Sequence, residues 1–380
     1  MTPVELTLKN AKVVTPSKIV EGAVHFRDGV IADIHTGYLD APAVDFAGDY
    51  LVPGLVDLHT DNFDRHVRPR NNADWPVMSA LLAHDAQMVA AGITTVCDSL
   101  YVGMTGFGAR SFETLKETIT EMHGCRAGGL LRGDHYLHLR AEVSMEDMPA
   151  KFASVYPDAS VRLVSVMDHT PGQRQWRDLE KYAAMEKKDF HLTQEEIDNF
   201  LNSAQDRYHR LSGPNRAKVL SMMDGHGIAI ASHDDTTIEH VEQSHAEGIS
   251  ISEFPTTLIA AEAARAKGMW IVAGSPNLVL GRSHSGNVSA EELVRNHLVD
   301  AFASDYVPSS MLQGAFLLNE KNGVPLHEAI DMVSLAPARM VGFDDRGSIE
   351  TGKRADLVRV RVCRGIPIAT TVWREGVRVS

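Results

Sequence analysis

Short apolar runs recur through the middle of the chain, and most end abruptly in polar groups. From residue 55 they read LVDLH (55–59), ITTVCDSL (93–100), HYLHLRAEV (135–143), VRLVSVMDH (161–169), IAIASHDD (228–235), ISISEF (249–254), WIVAG (270–274) and AFASDY (301–306). Runs of this length, apolar on both faces, predict strands buried on both sides. Helix-period or helix-capped stretches lie between most of them. One spans Met78 to Ala91, with Met78, Leu81, Leu82 and Val89 near one face. Another opens at Ser289 with Glu292 three residues on, a capping-box signal. Strands alternating with helices in this way predict an α/β fold of the (β/α)8 TIM-barrel type. An open doubly wound sheet is the alternative. It would be favoured by a G-x-G-x-x-G after the first strand, and there is none.

The two ends have a different texture. Residues 1–50 carry short alternating strands and turns, as in LTLKNAKVVT and AVHFRDGVIADIHTG, and residues 346–380 resume it in RGSIETGKRADLVRVRV and ATTVWREGVRV. We expect these ends (1–50 plus 346–380) to pair into one small β domain beside a barrel domain at 51–345. The stretch from Gln175 to Leu211 is longer than a usual βα loop, charged, and helical in pattern, with Thr193 and Glu196 as another capping box. It reads as an inserted helical pair, either a lid or a subunit contact in a homo-oligomer.

Composition narrows the class. A chain of 380 residues buries most of its surface without staples. Its three cysteines, Cys97, Cys125 and Cys363, are far apart and without a C-x-x-C, as expected of reduced thiols in a cytoplasmic protein. The N-terminus has no apolar leader, and no stretch approaches the roughly 20 apolar residues of a membrane span. A formal charge of −13 argues against nucleic acid as a partner. It leaves room for a small anion, because a local cluster of basic groups outweighs the net field inside a cleft. Histidine stands out, with 18 in the chain, several of them ending apolar runs.

Catalytic groups of such barrels sit at the C-terminal ends of the strands. That rule selects His59 and Asp61, which share a strand face at i and i+2, then Glu142 on the face of His138 and Arg140, then His169, His233 and Asp305. Each alone has a plainer reading: a hydrogen-bonded histidine, an aspartate opening a loop, or a Glu142–Arg140 ion pair. Together, these six residues ending five runs point to a metal. Imidazole and carboxylate without sulfur suit Zn²⁺, Mn²⁺ or Fe²⁺, one or two ions per subunit. A bound ion brings the pKa of water to roughly 7, and Asp305 is placed to take its proton.

Phosphate handling is the second theme. The segment GSPNLVLGRSHSGNVSAEE (274–292) follows the seventh run and enters a capped helix, where barrels often bind phosphate. Arg282, His284 and Asn287 lie in it, Arg65 follows the first strand, and Arg174 follows the fourth. Solvated loop charge is the plainer reading of each. On one rim with a metal centre, they favour a polyanionic substrate.

The motif VPGLVDLH, the strand-end ligands and the tail GSIETGKRADLV resemble the amidohydrolase superfamily along nearly the whole chain. The resemblance implies a metal-bearing barrel with a small β-sandwich built from both chain ends. It departs in its ligands: His59-Thr60-Asp61 stands where most members have H-x-H, and Glu142 where most have a bridging carboxylated lysine. The later histidines fall on strands 4 and 5 by our count, against 5 and 6 in the superfamily, so either a strand is hidden or the centre is a variant. The stretches HTDNFDRH, HLRAEV, SVMDHTPGQRQ, ASHDDTT, EFPTT and RSHSGNV resemble the phosphonate-pathway diphosphatases of that superfamily. This closer resemblance implies attack of a metal-activated hydroxide on the ribose-proximal phosphorus of a ribose 1-methylphosphonate 5-triphosphate. The 5-phosphate and diphosphate would be released, in functional association with other phosphonate-pathway enzymes. A deacetylase or cyclic-amide hydrolase with the same ligands is the nearest alternative. An inactive barrel-shaped binding protein is the other, and it predicts missing ligands.

Overall fold

In the computed structural model, the described residues are 5–40, 42–70, 73–103, 111–176, 179–283 and 286–380. Eight parallel strands run around a barrel in chain order: Leu55–Thr60, Ile93–Val102, Asp134–Glu142, Val161–Met167, Ala229–His233, Ile251–Glu253, Trp270–Gly274 and Ala301–Ala303. The last meets the first through a parallel bridge between Thr60 and Asp305. There Asp61 N donates to Asp305 O (2.7 Å) and Asp305 N to His59 O (2.9 Å). Closure excludes the open sheet, and the predicted (β/α)8 barrel is the fold. The floor inside the barrel is apolar: Val56, Leu58, Leu163, Ile251 and Phe343 belong to one buried cluster.

The helix predicted from Met78 runs Val77–Ala90; of the face expected from sequence, Leu81 and Val89 are buried and Leu82 packs against the core, but Met78 is not part of it. Met78 is 41 % exposed, while Val77, Ala80, Leu81, His84, Asp85 and Met88 are buried. Those six positions form one continuous i, i+3, i+4 stripe. His84 and Asp85 can lie inside it because Asp98 and His135 on the strands beneath satisfy them. At Ser289 and Thr193 each hydroxyl accepts from the backbone N–H three residues on, and at Thr193 the Glu196 carboxylate completes the capping box. Leu179–Phe190 and Gln194–Arg207 are helices, and Tyr182, Ile197 and Ala204 supply their buried side.

Both chain ends contribute to a second, mixed sheet, continuous in its hydrogen bonding. Leu357–Cys363 runs antiparallel to Tyr50–Pro53, and the sheet curls around its own core of Leu8, Phe26, Phe46, Leu357 and Trp373. Pro53 leads into the first barrel strand through Gly54. A Cβ there would lie 2.2 Å from Thr94 Oγ1, so only glycine fits. Among the described residues, no helix is long and apolar enough to cross a membrane.

Candidate metal centre at the barrel mouth

The first strand does not alternate simply. Its register against the second breaks between Asp57 and Thr60. Such irregularities re-aim side chains: Leu58 joins the apolar floor while His59 turns into the mouth. Buried Asp57 pins this segment by accepting from Ser304 N (3.0 Å) and His59 N (3.3 Å). Strain recurs at other strand ends, since Asp234, Phe254 and Asp305 hold φ of 55°, 56° and 53°. Non-glycine residues in that region are uncommon and cluster where a side chain must be aimed.

Two groups of potential ligands result. In the first, His59 Nε2 faces Asp61 Oδ1 at 3.6 Å, and Asp305 lies close enough to share one ion with them. In the second, Asp234 Oδ2 lies 3.4 Å from His233 Nε2 and 3.8 Å from His169 Nε2. Glu253, at the end of the sixth strand, ties the groups together. It accepts from His59 Nδ1 (2.8 Å), His233 Nδ1 (2.6 Å) and Ser165 Oγ (2.7 Å). With both Nδ1 atoms donating, each Nε2 is turned toward the mouth, which is how metal-binding histidines are oriented. Glu142 does the same for His169, accepting from its Nδ1 at 2.7 Å.

Arg140 is the chain's own cation in this centre. It is buried, and its Nη1 lies 2.8 and 2.9 Å from the two Asp61 oxygens. Its Nη2 is 3.4 Å from His233 Nε2, and its guanidinium carbon lies 4.0 Å from the centroid of the Tyr101 ring. The Glu142–Arg140 ion pair considered from sequence does not form, because Glu142 turns to His169 and Arg140 to Asp61.

The electrostatics follow from crowding. Burial, and then the charge of Asp61, push Asp305 up to about 7. Burial opposes the charged form of His59, but Glu253 and Asp61 outweigh it and raise the imidazole to about 10. Burial would also raise Glu253, yet the charges of His59 and His138 and the His233 bond hold it well below the usual carboxylate range. Burial lowers His233.

All six residues proposed as ligands, His59, Asp61, Glu142, His169, His233 and Asp305, line one cavity of about 430 Å³. The phosphate candidates divide. Asn287 lines the cavity, Arg65 stacks on Tyr306 of its wall at 5.5 Å, and Arg282 is exposed beside the lining residue Ser283. Arg174 is buried instead, its Nη1 donating to His233 O (2.9 Å) and Asp235 Oδ1 (2.6 Å). A φ of 42° at Arg174 turns it under the loop, so it supports the fifth strand end and is not among the lining residues. His284 lies outside the described residues. Three members of the centre were not selected from sequence as ligands or substrate contacts: Glu253, Asp234 and Arg140. Glu253 ends ISISEF as His233 ends IAIASH, so the strand-end rule applied to all eight runs would have found it.

The residues fit a divalent cation. Asp234 Oδ2 is buried without a hydrogen-bond partner among the described residues, and it faces two imidazole nitrogens. Asp61 and Asp305 are carboxylates that repel each other without a cation between them. The donor set is nitrogen and oxygen, as zinc, manganese and iron accept. The strand count needs no hidden strand: His169 follows the fourth strand and His233 ends the fifth.

The chain is 40 % identical over 377 residues to the alpha-D-ribose 1-methylphosphonate 5-triphosphate diphosphatase of Escherichia coli (strain K12), covering 98 % of this chain and 100 % of that one. The fold is similar to that of dihydropyrimidinase from Brevibacillus agri, with a TM-score of 0.62, 13 % identity, and 98 % and 94 % of the two chains covered. It is also similar to N-acetyl-D-glucosamine-6-phosphate deacetylase from Mycobacterium smegmatis, with a TM-score of 0.61, 16 % identity, and 99 % of each chain covered. The model of the amidohydrolase family matches residues 50–376. The chain belongs to the amidohydrolase family.

Proposed function

We propose that this protein hydrolyses α-D-ribose 1-methylphosphonate 5-triphosphate to the 5-phosphate and diphosphate in phosphonate breakdown. The observation that carries this is the end-to-end 40 % identity with the Escherichia coli diphosphatase. A buried arginine beside both ligand groups suits phosphoryl oxygens, which guanidinium binds bidentately. A divalent cation, zinc first and manganese or iron otherwise, would be held by His59, Asp61 and Asp305 and by His169, His233 and Asp234. It would supply Lewis acidity at the reacting phosphorus and at water.

The chain's own groups do the rest. Asp305, which follows the eighth strand beside His59 and Asp61, accepts the proton of the attacking water. Glu253 and Glu142 hold the imidazoles in one tautomer and orientation. Arg140 offsets charge that develops on the phosphoryl oxygens. Arg65, Arg282 and Asn287 receive the outer phosphates as these approach from the rim. Turnover of the triphosphate should be set beside that of an N-acetylated amino sugar phosphate and a cyclic amide, before and after chelation. The proposal predicts turnover of the triphosphate alone, stopped by the chelator. Turnover of an amide without the triphosphate would replace it with the amide-hydrolase reading.

A further inference from the structure

Four of the five carboxylates lining the cavity belong to the centre described above: Asp61, Asp305, Asp234 and Glu142. Glu186 stands apart. It comes from the inserted helix Leu179–Phe190 and is only 8 % exposed. Glu180 and Lys188 of the same helix face solvent, so the helix turns a carboxylate inward where packing alone would use an apolar side chain. A carboxylate taken out of water needs hydrogen-bond donors. Tyr182, one turn earlier on the same face, is hydrogen-bonded to it. Trp176 packs edge-on against Tyr182, with ring centroids 5.4 Å apart, and all three line the cavity.

A carboxylate flanked by aromatic rings is a poor wall for a phosphate, because like charges repel there with little solvent screening. It is a good wall for a sugar. Neighbouring hydroxyls donate to the two carboxylate oxygens, and the apolar C–H face of the ring lies on the aromatics. Acidic side chains hold ribose hydroxyls by the same chemistry in dinucleotide-binding folds. Arg140 and the loop carrying Ser283 and Asn287 are then left for the phosphates. We propose that Glu186, framed by Trp176 and Tyr182, binds the ring hydroxyls of the substrate's sugar and selects ribose over deoxyribose. This rests on the triphosphate reading for which sugar is presented.

The test uses the full metal-loaded protein, with ribose 5-phosphate and 2-deoxyribose 5-phosphate as calorimetric probes. The parent should prefer ribose 5-phosphate about tenfold or more, the usual worth of a hydrogen bond to a charged group. Glu186→Gln should bring the two affinities within about threefold by weakening the ribose ligand alone. Glu180→Gln, on the solvent side of the same helix, removes the same charge outside the cavity and should keep the selectivity, which controls for a general effect of altering this helix. Equal binding by the parent, or an equal loss for both sugars in Glu186→Gln, would overturn the inference. Glu186-dependent selectivity in a protein that fails to cleave the triphosphate would support it and remove the triphosphate reading instead.

Discussion

Glu253 fixes two imidazoles with one carboxylate, so its loss should be felt through the metal before the fold. Glu253→Gln keeps the shape but cannot accept from His59 and His233 with full charge. Partners of this kind are worth about ten- to a hundredfold in metal affinity. We therefore expect that loss in a chelator-competition titration, with unfolding little changed; unchanged affinity would make Glu253 a packing residue. Asp305→Asn removes the proton acceptor, and kcat should fall by about 10²- to 10⁴-fold while thermal unfolding stays cooperative. Loss of folding instead would mark Asp305 as structural. That His59, Asp61, Glu142, His169, His233 and Asp305 would share one cavity was legible in the sequence, because chemistry-bearing residues closed strands whose ends a barrel gathers at one rim. Arg174 was not legible. Its direction depends on a left-handed turn, and nothing in SVMDHTPGQRQ distinguishes a side chain aimed at substrate from one folded beneath the loop.

At the scale of elements, the helix Val77–Ala90 is held to the barrel by a buried polar chain. Arg132 N and Gly133 N donate to Asp85, Asp85 meets His135, His135 and His84 both bond Asp98, and Asn62 donates to His84. Asn62 opens the helix that follows Asp61, so the chain runs from the outer layer to the edge of the metal centre. The apolar pattern alone left His84 and Asp85 out of this helix face, because it could not credit two polar residues with burial. Burial works against charged His135, but Asp98 and Asp85 raise it to about 10. A raised folded-state pKa gives stability that is complete below the unfolded value of about 6.5 and fades as pH rises toward 10. Asp98 is opposite in sign: burial opposes its charge, yet the histidines hold it low, so its stabilisation is complete above about 3.9 and fades on acidification. His135→Asn should cost about 3–5 kcal/mol near pH 6, where both contributions are present, as breaking a buried pair does. Urea unfolding of parent and variant at pH 6 and pH 10 checks this. The gap should shrink at pH 10, and an unchanged gap would mean the cost is packing.

Across the whole molecule, a closed barrel gathers chemistry from residues as distant as His59 and Asp305, while the two chain ends meet in one sheet. The first of the inserted helices, Leu179–Phe190, supplies part of the cavity wall through Tyr182 and Glu186. That contact could not be read from sequence, which left the insertion as either lid or subunit contact. The central claim is that this cavity directs water to the phosphorus nearest the ribose. Phosphorus NMR of products formed in ¹⁸O-labelled water tests it most directly, using metal-loaded protein and ribose 1-methylphosphonate 5-triphosphate. The account predicts label in the 5-phosphate, unlabelled diphosphate, and no reaction after chelation. Label in the diphosphate, or release of single phosphates, would contradict it.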